Sequence, residues 1–198
     1  KYDLFSGYEV DLRYDEDTVF RNLSKNCRRD VRRAERNGLI VEISKDKDFD
    51  KFFYNHLKEV FKKQSLNPTY SLKRISSLIK NLASTNNLLL LKVFDQNKIC
   101  IATGIFPIFN SKMYFFGGAS LTNYQRLLPN EALIWFAMRV AIEKGVKSFD
   151  MGGGGSYKRK YGGKIIKVPW IKISKYKTLF LLRKFAKYSF KLKQRISI

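Results

Sequence analysis

The sequence predicts a mixed α/β domain with a central, largely antiparallel sheet flanked by helices. Three observations lead to that expectation. Apolar residues recur at spacings of three and four over several stretches, and these helical patterns alternate with short β-rich runs. Three of those runs follow one another through turns at Asp95-Gln96-Asn97-Lys98 and Asn110-Ser111, which reads as a meander. The chain has 198 residues, 44% of them hydrophobic and 15% aromatic, enough for one good core and too apolar for disorder.

Residues 8–13 alternate and predict a strand. The clearest helix is expected from Asp15 to Asn37, where Phe20, Leu23, Cys27, Val31 and Ala34 form one apolar stripe. Arg21, Lys25, Arg28, Arg32 and Arg36 fall on the opposite face. Asp15, Glu16 and Asp17 suit the positive end of the helix dipole, and Gly38 suits its C′ position. A strand is expected over 39–44, then helices near 47–64 and 71–84, separated by Asn67-Pro68. The meander strands are Leu88–Phe94, Ile99–Phe106 and Lys112–Ala119. A helix over 130–144 ends at Gly145. A short strand, Ser148–Met151, runs into Gly152–Gly155, a last strand covers 164–172, and a final helix covers 177–196.

The formal charge is +22, from 39 Lys and Arg against 17 Asp and Glu. That excess predicts polyanionic partners such as RNA, phosphorylated substrates or anionic lipid. After Asp150 there is no acidic residue and 14 basic ones follow, so the excess concentrates at the C-terminal end. In the final helix Lys184, Lys187, Lys191 and Arg195 share one face, and Leu182, Phe185, Leu192 and Ile196 share the other. Such a helix suits an anionic membrane surface, or packs its apolar face on protein. No run approaches the roughly 20 apolar residues of a spanning helix. No signal peptide is visible. Cytoplasmic residence, peripheral at the inner face of the membrane, is the expected location. The opening at Lys1, inside ordered-looking sequence, predicts an additional N-terminal domain in the full protein.

Several chemistries are disfavoured. The sole histidine, His56, has no Ser-His-Asp or Cys-His partner pattern and reads as a surface or packing residue. Cys27 and Cys100 read as reduced core thiols. No ligand-rich cluster suggests a metal, and neither GxGxxG nor a Walker A pattern is present. The unusual segment runs from Phe149 to Gly163. Its glycines let backbone approach a ligand, with Lys158 and Arg159 adjacent; a flexible turn with a solvated basic cluster is the other reading.

The order of motifs resembles the Fem-type peptidoglycan aminoacyltransferases and related GNAT acyltransferases of polysaccharide biosynthesis. The residues that carry the resemblance are Gly117-Gly118-Ala119-Ser120 with Tyr124 and Pro129; Leu133, Trp135 and Ala141 ending at Gly145; Phe149-Asp150 running into glycines; and Tyr157-Lys158-x-x-Tyr161-Gly162. The Arg-rich run from Cys27 to Leu39, with its Ala34-Glu35-x-x-Gly38, is similar as well. The resemblance covers most of residues 15–165. It implies a GNAT-like fold over 1–174, with a basic amphipathic helix over 175–198 appended.

It also implies acyl transfer to an amine of a cell-envelope or polysaccharide precursor, an anionic acceptor. The co-substrate is aminoacyl-tRNA or acyl-CoA, with no tightly bound cofactor. Carried over, Lys158 is the catalytic candidate, stabilising the oxyanion or the leaving oxygen. Asp150 is the candidate for the acceptor ammonium and Tyr124 for a hydrogen bond. Tyr157, Tyr161, Gly153 and Gly154 would frame the substrate. Arg28 and Arg32 would bind phosphates or form a solvated cationic face. Fem enzymes contain two such domains and this chain has room for one. CoA-using members grip pyrophosphate with a glycine-rich turn before a helix. This chain has Gln125-Arg126-Leu127-Leu128-Pro129-Asn130 there, with no glycine, and Leu127 and Leu128 are expected to impede backbone approach. That shifts the expectation towards aminoacyl-tRNA, although Arg126 and Asn130 remain candidates for a phosphate of CoA. A different class of function, a non-catalytic RNA- or membrane-binding module on a degenerate GNAT fold, fits the missing turn.

Overall fold

The computed structural model describes residues 2–153, 155–171, 173, 175–176, 178–179, 182–183, 185–186 and 188–189. It divides into a unit of Ser6–Ile166 and a smaller one of Lys1–Phe5 with Lys167–Ile198. In the smaller unit the rings of Phe5 and Trp170 pack with centroids 5.2 Å apart. The helix expected over 177–196, with its basic face, lies largely outside the described residues.

The elements are β1 (Tyr2–Asp11), α1 (Glu16–Asn22), α2 (Lys25–Arg36), β2 (Ile40–Ile43), α3 (Phe49–Lys62), α4 (Leu72–Ala83), β3 (Leu88–Phe94), β4 (Cys100–Phe109), β5 (Lys112–Tyr114), β6 (Gly117–Ser120), α5 (Pro129–Glu143), β7 (Ser148–Gly153) and β8 (Lys164–Ile171). Two 3₁₀ turns lie at Thr122–Leu127 and Ser156–Tyr161. The strands form one sheet in the order β2-β3-β4-β5-β7-β1-β8, with β6 paired to β4. The β2–β3, β3–β4, β4–β5, β4–β6 and β1–β7 pairs are antiparallel, and β5–β7 is parallel. The mixed, mostly antiparallel sheet expected from the sequence is therefore present.

Strand β3 explains why helices cover both faces. Its Leu89, Leu91 and Val93 enter the larger core with Cys27 and Val31 of α2 and Leu133, Ala137 and Met138 of α5. Leu90 turns the other way, into a second core with Phe49, Phe53 and Leu57 of α3 and Ile75 of α4. A continuous apolar run rather than a strict alternation is what a doubly covered strand requires.

Two expected elements are divided. The helix expected from Asp15 to Asn37 is α1 and α2, broken at Leu23, whose ψ is 147°. The apolar stripe is still buried: Leu23, Cys27, Val31 and Ala34 are each at most 2% exposed. The break has a non-local cause. Ser24 caps α2 by accepting from the Cys27 N–H, while its own N–H donates to the carbonyl of Lys160 at 2.8 Å. Arg28 donates to the carbonyls of Arg21 and Leu23, which α1 leaves free at its C-terminal end. The strand expected over Lys112–Ala119 is β5 and β6, separated at Phe115-Phe116.

Loss of the cap should be measurable by itself. Ser24→Ala is expected to cost about 1 kcal/mol. That lowers the melting temperature by about 2–4 °C for a chain of this size, as followed by circular dichroism.

Candidate active site

The division of β5 from β6 creates the site. Tyr114 and Asp150 are the last partners in the parallel β5–β7 ladder. The next two N–H groups then choose different strands. Phe115 donates to the carbonyl of Asp150 at 2.8 Å, and Phe116 donates to the carbonyl of Ile105 at 3.1 Å. From there β6 follows β4, from Gly117 opposite Ile105 to Ser120 opposite Ala102. Strand β7 instead follows β1, ending with Gly153 opposite Gly7. The sheet therefore splays into a wedge. Strand β6 pairs with β4 alone, so its other edge keeps free backbone groups. The glycines of β6 reflect crowding: a Cβ on Gly118 would lie 3.0 Å from the Phe115 ring, and one on Gly117 3.2 Å from Phe53.

The 3₁₀ turn after β7 folds back and sets Lys158 against the opened strand. Its Nζ donates to the carbonyls of Met151 at 2.6 Å and Gly153 at 2.8 Å. Beyond Asp150, β7 has lost its β5 partner, and the ammonium supplies donors to this part of the strand. An ammonium has three N–H donors, so one is left over. Lys158 is only 7% exposed, and the Phe115 and Tyr157 rings each lie 5.9 Å from its Nζ. Burial lowers its pKa, and the charge of Asp150 opposes that shift. The neighbouring Lys160 binds Glu131 of α5 at 2.5 Å, which ties the turn to the helix.

The other candidates occupy different layers. Asp150 is half-buried and its Oδ1 accepts from the Gly152 N–H at 2.7 Å, holding the start of the glycine loop. Gly153 lies beside Lys158, whereas Gly154 is outside the described residues. Tyr157 is 55% exposed, whereas Tyr161 is 1% exposed in the larger core, where burial pushes its hydroxyl pKa up. Tyr161 therefore backs the turn from inside. Tyr124 lies in the first 3₁₀ turn, half-buried against the larger core. Arg32 places its guanidinium 5.2 Å from the Phe20 ring centroid, and Arg28 is occupied by the carbonyls between α1 and α2.

The turn before α5 takes a conformation usual for glycine, although no glycine stands there. Leu128 adopts φ 67° and ψ 44°, the left-handed turn for which glycine is usual. For a residue with a side chain that conformation costs roughly 1–2 kcal/mol. Flanking contacts hold it: Asn37 Nδ2 donates to the Leu127 carbonyl at 3.2 Å, and Asn130 Nδ2 to Ser120 Oγ at 3.2 Å. Arg126 is exposed just before it, and Lys63, at the C-terminal cap of α3, reaches Gln125 at 3.5 Å.

Sequence reasoning missed the Glu131–Lys160 pair. Its one visible signal was a carboxylate in the otherwise apolar start of α5. Cys27, pushed up to about 12 by burial, is no nucleophile. His56 is a packing residue, bonded to Thr103 Oγ1 at 3.1 Å, and burial lowers its pKa.

A mixed sheet that splays between two central strands, with a long helix starting beside the opening, defines an acyltransferase fold of the GNAT type. The chain belongs to the Acetyltransferase (GNAT) domain family, whose profile matches residues 21–161. Among solved structures it is similar to FemX, with a TM-score of 0.74 and 16% identity over 84% of this chain and 61% of that one. It is also similar to a GCN5-related N-acetyltransferase from Sphaerobacter thermophilus, with a TM-score of 0.57 and 12% identity over 85% of this chain and 50% of that one. L-PGS from Bacillus licheniformis matches with a TM-score of 0.54 and 12% identity over 77% of this chain and 46% of that one. The chain thus spans about three-fifths or less of the length of each. No curated protein matches it by sequence.

Because Lys158 satisfies two strand carbonyls, its removal should be felt in stability. Lys158→Met is expected to cost about 2 kcal/mol and to lower the melting temperature by about 4–8 °C. An unchanged melting curve would mean that those carbonyls find other donors.

Proposed function

We propose that this domain transfers an acyl group from acyl-CoA to a primary amine on an anionic cell-envelope or polysaccharide precursor. The observation that carries the reading is the wedge between β6 and β7 with a buried ammonium on one wall. The free edge of β6 offers backbone groups to an extended donor arm, as a strand edge does to an added strand. At the far end of that edge the left-handed turn at Leu128 leads into α5, whose first N–H groups and dipole favour phosphate. Arg126 and Asn130 sit at that point. The acceptor nitrogen attacks the acyl carbonyl carbon, and the tetrahedral oxyanion collapses with loss of the thiolate, while the nitrogen's proton leaves to solvent. The remaining N–H of Lys158 stabilises the oxyanion, and Asp150 orients the incoming ammonium before it is deprotonated. Tyr124 and Tyr157 line the approach.

A second donor, aminoacyl-tRNA, is favoured by one observation: the net charge of +22 suits a long polyanion. The basic C-terminal segment supports residence beside an anionic membrane or a nucleic acid. Among the described residues no helix is long and apolar enough to cross a membrane.

Binding of acetyl-CoA and of aminoacyl-tRNA, each titrated at two salt concentrations, separates the donors. Acyl-CoA should bind and support turnover with an amine acceptor. Binding of tRNA alone would shift the reading to the second donor, and binding of neither would remove the enzyme. With the competent donor, Lys158→Met should lower turnover by about 10²–10³-fold, assayed well below its melting temperature. Wild-type turnover in that variant sinks the assignment of Lys158.

A further inference from the structure

A second concave site lies at the other end of the sheet. Strand β2 stops at Ile43, opposite Leu91, whereas β3 runs back to Leu88, opposite Pro107. The wedge opens towards Ala102, so the two sites face opposite ends of the β3–β4 ladder. The uncovered start of β3, the end of β2 and the flank of α4 leave a groove of about 620 Å³.

The groove has two chemistries. Its floor is apolar, from Ile43, Ile79, Leu88, Leu90 and Ala83. Ile43 is 49% exposed there, apolar surface that no described residue covers. Its rim is basic, from Lys45, Lys47, Lys80 and Lys144, each of them exposed. Of the two carboxylates present, Asp46 pairs with a cation, whereas Asp50 is held by neutral donors and keeps its charge. Asp46 accepts from the buried Lys92 and from Ser44, and Asp50 accepts from Ser76 and from the Lys51 N–H. None of the four rim lysines makes an ion pair among the described residues. Among the described residues, four lysines against one unpaired carboxylate leave the rim positive around an apolar floor, which matches a ligand with the reverse distribution.

We infer that this groove binds an anionic amphiphile, a single alkyl chain ending in a phosphate, whose double charge suits several rim lysines. The chain covers Ile43, Ile79 and Leu88, and the head group sits among the rim lysines. The inference is independent of the acyl-transfer reading, because none of its residues belongs to the wedge.

Calorimetric titration with dodecyl phosphate below its micellar concentration, at about 0.15 M salt, tests it. Saturable 1:1 binding is expected. Inorganic phosphate and neutral dodecyl maltoside, which has the same alkyl chain, should each bind at least about tenfold more weakly. A parallel titration with dodecanoate, a monoanion of the same chain length, should show weaker binding, and equal or tighter binding of the carboxylate would overturn the phosphate assignment. Lys47→Glu/Lys80→Glu reverses charge at two exposed positions, and Ala83→Trp fills the floor; each should weaken binding by at least about tenfold, with circular dichroism confirming the fold. Equal binding of inorganic phosphate would reduce the site to a basic surface, and equal binding of the maltoside would reduce it to apolar adsorption. Wild-type affinity in both variants would place the ligand elsewhere. Any of these results overturns the inference.

Discussion

Two adjacent N–H groups that bond to different strands create the opening in this fold. Phe115 stays with β7 and Phe116 goes with β4, so the ladder that joins the two halves of the sheet ends there. A sheet broken in this way exposes backbone polar groups on both banks, and buried polar groups without partners are costly. The two banks meet that cost differently. On β7 a buried side chain takes over two carbonyls. On β6 the edge stays unpaired, and an unpaired edge beside a cleft is a place for a ligand's own polar groups.

The lysine is therefore structural and chemical at once. Its carbonyl contacts hold its ammonium in place, and burial lowers its pKa while Asp150 resists the change. Support comes from farther out. Lys160 binds Glu131, the Lys160 carbonyl receives the Ser24 N–H, and Tyr161 fills the core behind. The same short turn thus anchors α5, breaks the first helical stretch in two and positions Lys158. Preorganisation by packed neighbours is what electrostatic stabilisation of a developing charge requires.

The charge distribution links the two concave sites. Basic residues near the start of α5 stand close to the opening of the wedge, and lysines without an ion pair among the described residues ring the groove at the other end of the sheet. A chain carrying this much positive charge is held together by its two apolar cores, which sit on opposite faces of β3 and β4. Exposed charges repel only weakly in water, so the surplus is tolerated by the fold and remains available for anionic partners.

Much of this architecture was legible in the chain. Leu88–Phe94 was read with the bounds the strand has, α3, α4 and α5 were located, and the order of motifs pointed to a GNAT-like fold. Those features depend on local periodicity, turn residues and apolar runs, which the order of amino acids specifies directly. The break at Leu23-Ser24, the parting of Phe115 from Phe116, the left-handed Leu128 and the donors received by the Met151 and Gly153 carbonyls were decided only by the tertiary structure. Each depends on a partner far away in sequence: the Lys160 carbonyl, strands β4 and β7, the Asn37 amide and the Lys158 ammonium. Sequence periodicity reports which face of an element is apolar, but not which distant group its backbone will bond to.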